Sequence, residues 1–214
     1  SVNEHIKTIR RFIDYLYSED YIDKPISIKL LKTTKDISKK GLTDDDIKEI
    51  LASIKGNDFI SCRNRAIISF FVDTGVRVSE IINIKVTNIS DVVNVTAKNK
   101  TRTVPISPKL QLILLKYMKV RAKNLHNDSE YLFYSRSGKK LTNDSIEKML
   151  KRIRLDLHPH MFRHYYISSL LKNGVNLFYI SKLVGHSSIS ITQTYLDYVD
   201  NENILDSVKK FSNL

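Results

Sequence analysis

A mostly apolar run, AIISFFV at residues 66–72, constrains the fold of this chain more than any other feature. The run lies inside a segment of helical length, about residues 60–74, which Thr74 and Gly75 bring to an end. A helix that is apolar on all sides is a buried helix. The sequence therefore predicts a globular domain with this helix in its core.

Most of the other segments also repeat with the period of helices. Residues 92–98 and 102–106 alternate instead with the period of strands, on either side of a short polar turn, and residues 131–134 (YLFY) form a further strand-like run. We predict a mainly α fold with a small antiparallel β-sheet, of the α+β class. The remaining predicted helices cover about residues 2–22, 44–55, 76–85, 107–123, 142–154, 159–172, 176–183 and 188–198, with a tail helix from about residue 201.

The chain divides into four segments by composition and periodicity. Residues 1–23 are interpreted as the last helix of a domain whose beginning is absent, because one amphipathic helix has too few partners to bury its apolar stripe. Residues 24–41 are Lys-rich and aperiodic, as expected for a linker that is either a solvated loop or a basic strap along a phosphate backbone. A globular domain covers residues 42–200, and residues 201–214 form an amphipathic tail helix.

The charge balance favours a polyanionic partner. Lys and Arg total 35 against 23 Asp and Glu, which gives a formal net charge of +12. Nucleic acid is the commonest such partner, and an anionic membrane is disfavoured because the sequence has no lipidation motif and no basic amphipathic helix lacking core-type partners. The single Cys62 cannot form an internal disulfide, no apolar run approaches the ~18 residues of a spanning helix, and no signal peptide opens the chain. We expect a soluble, cytoplasmic protein that binds nucleic acid and no membrane.

Two short segments in the last third of the chain concentrate its histidines. HPHMFRH at 158–164 and LVGHSSISITQTY at 183–195 contain four of the six His, and Tyr195 follows His186 by nine residues. Taken singly, each of these residues has an ordinary structural explanation, such as a core histidine or a helix cap. Two imidazoles, a guanidinium and a phenol together can grip one phosphate, so the pair of segments predicts a phosphate-binding site.

Five blocks of sequence occur in a jointly specific order. They are TGVRVSEIINI at 74–84, KTRTVPIS at 100–107, HMFRH at 160–164, LVGH at 183–186 and TQTY at 192–195. In this order and spacing they resemble the tyrosine recombinases, also called phage-type integrases, and look closest to the Xer and transposon integrase branch. The resemblance covers about residues 42–200 and implies the catalytic-domain fold of that family. It also implies site-specific DNA recombination by strand cleavage and rejoining through a 3′-phosphotyrosyl intermediate.

The expected chemistry assigns roles to the residues of these blocks. Attack of a Tyr hydroxyl on a phosphodiester builds charge on two non-bridging oxygens, which planar guanidinium groups suit, and Arg77 and Arg163 are the candidates. Tyr195 is the expected nucleophile. His160 is placed to take the proton or to return it in the reverse step, and His186 to donate a hydrogen bond to the phosphate.

A lysine on the hairpin completes the expected set. The resemblance implies that this lysine protonates the leaving 5′-oxygen, and both Lys98 and Lys100 are candidates. Lys98 is preferred because it ends the first strand, whereas Lys100 lies in the turn. Glu80, one helical turn after Arg77, is expected to orient that arginine or the lysine.

Three nearby residues are given other roles. His164 resembles a family position that packs against or supports the site, and His158 precedes a proline and is expected in a loop. Tyr198 lies three residues beyond Tyr195 on the same predicted helix face and is the natural alternative nucleophile. The family spacing of nine residues after His186 selects Tyr195.

The resemblance also implies partners and excludes cofactors. Double-stranded DNA is the expected partner, and two domains are expected to clamp the duplex. The expected oligomeric state is a homotetramer in the synapse and a monomer when free. The tail at 201–214 is expected to dock on a neighbour or to pack on its own domain. No cofactor or metal is expected, because no Cys, His or acidic cluster has metal-ligand spacing and no glycine-rich phosphate loop occurs. Two alternatives stay open: a type IB topoisomerase-like enzyme that relaxes one duplex, and a catalytically silent DNA-binding module.

Overall fold

The chain falls into two compact units, Ser1–Lys40 and Gly41–Leu214. The finer division into four segments stays a prediction, and its tail helix at 201–214 lies outside the described residues. No helix of the described part is long and apolar enough to cross a bilayer. The structure, a computed structural model, describes residues 2–31, 41–97, 100–126, 128–186 and 188–195.

The first unit is built on one helix, α1 (Val2–Ser18), which is shorter than the predicted 2–22. The side chain of Asn3 accepts a hydrogen bond from the backbone N–H of Leu31 (3.0 Å) and donates one to its carbonyl (3.1 Å), so the start of the helix is joined to the segment that follows. No residue of α1 is buried, and its apolar side chains Ile9 and Phe12 are exposed.

The second unit is mainly helical with one two-stranded antiparallel sheet among its described residues, which confirms the predicted fold class. Its helices are α2 (Asp44–Ser53), α3 (Phe59–Thr74), α4 (Val78–Ile81), α5 (Pro108–Arg121), α6 (Asn143–Ile153), α7 (Pro159–Lys172), α8 (Leu177–Val184) and α9 (Ile189–Gln193), with a 3-10 turn at Val86–Asn88 and strands β1 (Val92–Ala97) and β2 (Lys100–Pro105).

Local sequence signals explain several helix ends. Thr43 caps α2 through a capping box in which its hydroxyl accepts from the N–H of Asp46 (3.1 Å) and the Asp46 carboxylate accepts from the N–H of Thr43 (2.9 Å). Thr142 caps α6 in the same way, with its hydroxyl accepting from the N–H of Ser145 (3.1 Å). Helices α3 and α8 both end on a left-handed glycine, Gly75 (φ 57°) and Gly185 (φ 67°).

The helix predicted at 76–85 is wrong in its length. The structure forms only the four-residue helix α4, which begins after Arg77 because that residue is extended (φ −78°, ψ 156°) and caps the helix instead of belonging to it. Ile81 and Ile84 are nevertheless buried, so the apolar pattern reports burial correctly.

The strand predicted at 131–134 is also wrong. Tyr131 and Tyr134 form isolated bridges with Lys85 and Lys140, and no ladder extends from them. Leu132, like Tyr134, is fully buried, so the apolar run fills the core instead of forming a strand.

The hairpin turns one face inward. Val93 pairs with Val104, and Val95 pairs with Arg102, so these four residues lie on the same face of the sheet. The three valines are buried. Arg102 therefore approaches the protein interior from the inner face of β2.

Helix α3 lies at the centre of the core, as its apolar run predicts, and packs against α5 and α7. Phe71 is fully buried and stacks on Phe162 of α7 with ring centroids 6.0 Å apart. A smaller cluster contains Tyr166 of α7, Val184 of α8 and Tyr195. Helix α7 thus joins the main core to the segment that carries Tyr195.

Replacing Phe71 with Ala should lower the free energy of unfolding by about 3–5 kcal/mol, because a fully buried aromatic ring leaves a cavity against Phe162. Urea unfolding followed by circular dichroism would measure the change. Leu112→Ala is the matched control, since Leu112 on α5 is exposed and its loss should cost less than about 0.5 kcal/mol. Equal effects of the two substitutions would show that α3 is not central to the core.

Candidate active site

One buried carboxylate holds two arginines. Glu80 is 2% exposed and accepts hydrogen bonds from the backbone N–H (2.7 Å) and the guanidinium (3.2 Å) of Arg77. Its other contact is an ion pair with Arg102 of β2, at 2.7 Å. The carboxylate joins the start of α4 to the inner face of the hairpin.

The guanidinium groups are also held by the carboxyl-terminal ends of two helices. Arg163 of α7 is 5% exposed and donates to the carbonyls of Gly75 (2.7 Å) and Val184 (2.6 Å), which end α3 and α8. Arg77 donates to the carbonyl of Gly185 at 2.8 Å. Because helix carboxyl termini carry partial negative charge, they stabilise guanidinium groups without supplying a full counter-charge.

The two left-handed glycines allow these approaches. A Cβ on Gly75 would lie 2.4 Å from Cδ1 of Tyr166, and one on Gly185 would lie 2.9 Å from Nε of Arg102. Both values are shorter than any ordinary Cβ contact, and the positive φ angles add backbone strain for other residues. Glycine is therefore required where the helix ends meet the cluster.

Tyr195 lies against two histidines. It is 6% exposed, and its ring centroid is 4.9 Å from that of His164 and 6.4 Å from that of His186. His186 is oriented by a hydrogen bond of 2.7 Å between its Nδ1 and the hydroxyl of the buried Thr192. The structure thus brings the predicted nucleophile together with one predicted phosphate ligand and with His164.

The electrostatics of the cluster are strongly positive. Burial lowers the pKa of Arg163 to about 10, and the neighbouring Arg77 and Arg102 contribute in the same direction. Burial, followed by the charges of the same three arginines, lowers the pKa of His186 to about 4. The imidazole of His186 is therefore neutral at pH 7 in the DNA-free protein.

The low pKa of His186 predicts a pH-dependent stability. Between the ordinary histidine pKa of about 6.5 and about 4, the unfolded chain binds a proton that the folded chain does not, so stability falls as pH drops through this window. Replacing His186 with Asn removes this contribution. Urea midpoints at pH 7 and pH 4.5 should show a larger loss on acidification for the unmodified chain than for the variant. Equal losses would contradict the assignment.

The other predicted residues are placed as follows. His160 is exposed in the first turn of α7, three residues before Arg163, and His158 is the extended residue that precedes this helix. Lys98 lies outside the described residues, as does Tyr198. Lys100 is the first residue of β2, so the prediction that it lies in the turn is wrong and the reason for preferring Lys98 no longer holds. The choice between the two lysines stays open.

The sequence did not assign Arg102, Thr192 or Gly185 a role, and it assigned Gly75 only the end of a helix. A signal for Arg102 was present, because it alternates with Val104 and thereby places a charge on the inward face of a strand. Thr192 carries no such signal, since its role depends on the ring of His186 folding back onto α9. In the described part of the chain, no group of three or more His, Cys, Asp or Glu could hold a metal ion.

Guanidinium groups set between helix ends, a neutral imidazole and an adjacent tyrosine form a site suited to binding a phosphate group. Comparisons with known proteins identify the family. The family model described as "Phage integrase family" matches residues 40–202. The chain is 30% identical to a tyrosine recombinase of Thermosipho africanus over 224 residues, which cover 98% of this chain and 75% of that protein. It is 29% identical to the tyrosine recombinase XerD of Oceanobacillus iheyensis over 208 residues, 91% of this chain and 70% of that one.

The chain therefore belongs to the phage integrase family, whose members are the tyrosine recombinases. The fold agrees with this membership. It is similar to that of the Tn1549 transposon integrase in complex with a circular intermediate DNA, with a TM-score of 0.81 at 17% identity over 98% of this chain and 78% of that one.

Proposed function

We propose that this chain cleaves and rejoins DNA strands at specific sites through a phosphotyrosyl intermediate on Tyr195, without a metal ion or ATP. The observation that carries the proposal is the cluster of Arg77, Arg102 and Arg163 around the single carboxylate of Glu80, close to Tyr195. Tyr195 lies near enough to Arg163 that a negative charge on the tyrosine oxygen would raise the pKa of that guanidinium.

The charge of the cluster matches the reaction. Three guanidinium groups against one carboxylate leave two positive charges in excess. Attack of a tyrosine oxygen on a phosphodiester, with loss of the phenol proton, gives a pentavalent phosphorus with two negative charges on its non-bridging oxygens. The cluster can balance this charge at the moment it develops, which is the source of rate enhancement in such sites.

Both candidate arginines keep donors for the phosphate. A guanidinium has five N–H donors. Each terminal nitrogen of Arg163 donates one N–H, to the carbonyl of Gly75 or of Val184. Each terminal nitrogen of Arg77 likewise donates one N–H, to Glu80 or to the Gly185 carbonyl. The remaining N–H groups are held in fixed directions, so the arginines are positioned before DNA arrives.

Proton transfer needs groups on both sides of the phosphorus. The Oη–P bond forms as the P–O5′ bond breaks, the phenol proton passes to His160, and the leaving 5′-oxygen takes a proton from Lys98 or Lys100. With its Nδ1 bonded to Thr192, His186 presents Nε2 to the phosphate. Because the phosphotyrosyl bond retains the energy of the broken phosphodiester, a 5′-hydroxyl of another strand can reverse the reaction without ATP.

Double-stranded DNA is the proposed partner, and four copies of the chain are proposed to join two sites. The excess of basic residues, 35 against 23 acidic ones, supports the DNA partner. The similar Tn1549 integrase was solved with DNA, which supports the same conclusion. Chemical crosslinking on DNA should yield a tetramer, and a monomer alone would count against synapsis.

The test is covalent trapping on nicked duplexes drawn from both flanks of the chain's own coding region, in the presence of EDTA. A denaturing gel should show protein joined to the strand on the 5′ side of the cut, because the tyrosine is bonded to a 3′-phosphate. Attachment to a 5′-phosphate, or a requirement for Mg²⁺, would overturn the proposal. Supercoiled plasmid relaxation without site preference would favour the topoisomerase alternative, and DNA binding without any adduct would favour the silent module.

A further inference from the structure

Arg102 is only partly buried but is less exposed than Arg77. The side chain of Arg77 is 34% exposed, that of Arg102 is 16% exposed, and Glu80 between them is 2% exposed. Of the three side chains, that of Arg77 is therefore the most accessible to a phosphate from solvent.

The contacts of Arg102 control how Glu80 binds Arg77. Oε2 of Glu80 accepts from Arg102 at 2.7 Å and from the backbone N–H of Arg77 at 2.7 Å, while the guanidinium of Arg77 reaches only Oε1, at 3.2 Å. Without Arg102, one acceptor position on Oε2 would become free for the guanidinium of Arg77, and the pair could become two-pronged, which is the geometry that guanidinium and carboxylate groups prefer. The shared carboxylate therefore leaves Arg77 less neutralised and its NH2 free to bind Gly185.

Arg102 also supports the turn that holds Arg77 from the other side. An ideal Cβ on Gly185 would lie 2.9 Å from Nε and 3.1 Å from Cδ of Arg102, so the arginine packs directly against this glycine. Arg77 donates to the carbonyl of the same residue. Arg102 thus touches both groups that fix the guanidinium of Arg77.

The unused donors of Arg102 indicate a functional role. Its Nε and NH1 are buried and have no hydrogen-bond partner among the described residues. Buried donors without partners cost free energy, and those that persist in a fold call for an explanation. In Arg102 the free-energy cost of these two buried donors is the cost of keeping a positively charged guanidinium inside the cluster.

We infer that Arg102 is a positioning residue for the proposed strand cleavage: it divides Glu80 between two arginines and thereby keeps Arg77 oriented and charged for the scissile phosphate. The inference rests on the proposed function. Arg102 acts through Arg77, so its removal should matter only when Arg77 matters.

A substrate comparison tests this dependence. The adduct rate is measured on the nicked duplex that traps the unmodified chain best and on the same duplex with a methylphosphonate at the scissile position. The methyl group replaces one charged oxygen, so the pentavalent phosphorus carries one negative charge instead of two and depends less on Arg77. Arg102→Met should slow the phosphodiester reaction by about 10²-fold, as expected when a reacting group is misplaced by about 1 Å. On the methylphosphonate its effect should shrink to within about threefold, a difference comparable to the error of additivity.

A double substitution separates positioning from direct contact. Adding Arg102→Met to Arg77→Ala should slow the phosphodiester reaction by no more than about threefold further, because coupled residues are not additive. Equal slowing of both substrates would mean a merely structural role and would overturn the inference. Full additivity with Arg77→Ala would also overturn it, because Arg102 would then contact the phosphate itself.

The controls keep folding and the proposed function apart from the inference. Thr103→Val changes the exposed face of the same strand, where Thr103 bonds Asn94, and should leave both rates unchanged. If the thermal midpoint shows that Arg102→Met does not fold, Arg102→Lys replaces it. Lysine keeps the positive charge but cannot contact Glu80 and Gly185 together, so the same difference between the two substrates is expected. An unmodified chain that forms no adduct overturns the proposed function and, with it, this inference; an active chain with unaffected Arg102 variants overturns the inference alone.

Discussion

Replacing Tyr195 with Phe should reduce covalent attachment to DNA by about 10⁴-fold or more, as loss of a nucleophile does in enzymes that form covalent intermediates. The substitution removes only the hydroxyl. The ring can still pack against His164 and His186, so the thermal midpoint should change little. Denaturing gels of a labelled nicked duplex, scored over several hours, measure the loss.

Tyr198→Phe is the matched control for the nucleophile. Tyr198 lies outside the described residues, three positions after Tyr195 in the sequence. The Tyr198→Phe variant should still form the covalent adduct with DNA. The opposite pattern, with attachment lost in Tyr198→Phe and kept in Tyr195→Phe, would move the nucleophile by three residues.

Replacing Arg163 with Lys should slow adduct formation by about 10³-fold or more, the lower end of what a transition-state arginine contributes in phosphoryl transfer. Lysine keeps the positive charge but cannot bond the carbonyls of Gly75 and Val184 and the phosphate together, since an ammonium lacks the planar fork. Single-turnover rates under saturating protein report this loss on the chemical step.

Arg121→Lys is the control for the structural cost of the same substitution. Arg121 is also 5% exposed and also donates to two backbone carbonyls, those of Ser129 and Tyr131, but it lies on α5 away from the cluster. It should lower the thermal midpoint by a similar amount and leave the adduct rate unchanged below that midpoint. If both variants lost adduct rate to a similar extent, Arg163 would stabilise the fold and would not act on the reaction itself.

Apolar periodicity predicted a segment correctly where the pattern of buried residues matches the secondary structure that the segment forms. The run at 66–72 is apolar except for Ser69, and a chain can remove it from water only by burying α3. Arg77 shows where this fails: the segment after Gly75 has helical apolar spacing, but backbone contacts with Glu80 fix Arg77 as an extended cap. The run at 131–134 has strand-like composition, and only tertiary packing decides that it fills the core.

The site was predictable to the extent that its chemistry demands residue types at fixed spacing. Arg163 and His186 belong to such blocks, and the structure brings both close to Tyr195. Contacts between distant segments could not be predicted in the same way. The Gly185 carbonyl meets Arg77 across more than a hundred residues, and the approach depends on a left-handed backbone that is visible only once α8 is in place.

The central claim, that Tyr195 becomes bonded to a 3′-phosphate of DNA, is tested most directly by identifying the modified residue. The trapped adduct is digested with nuclease and protease, and the peptide that carries the remaining nucleotide is sequenced by mass spectrometry. The account predicts a nucleotide on Tyr195, attached through its 3′-phosphate. A nucleotide on Tyr198 or on any other residue, or one attached through a 5′-phosphate, would contradict it.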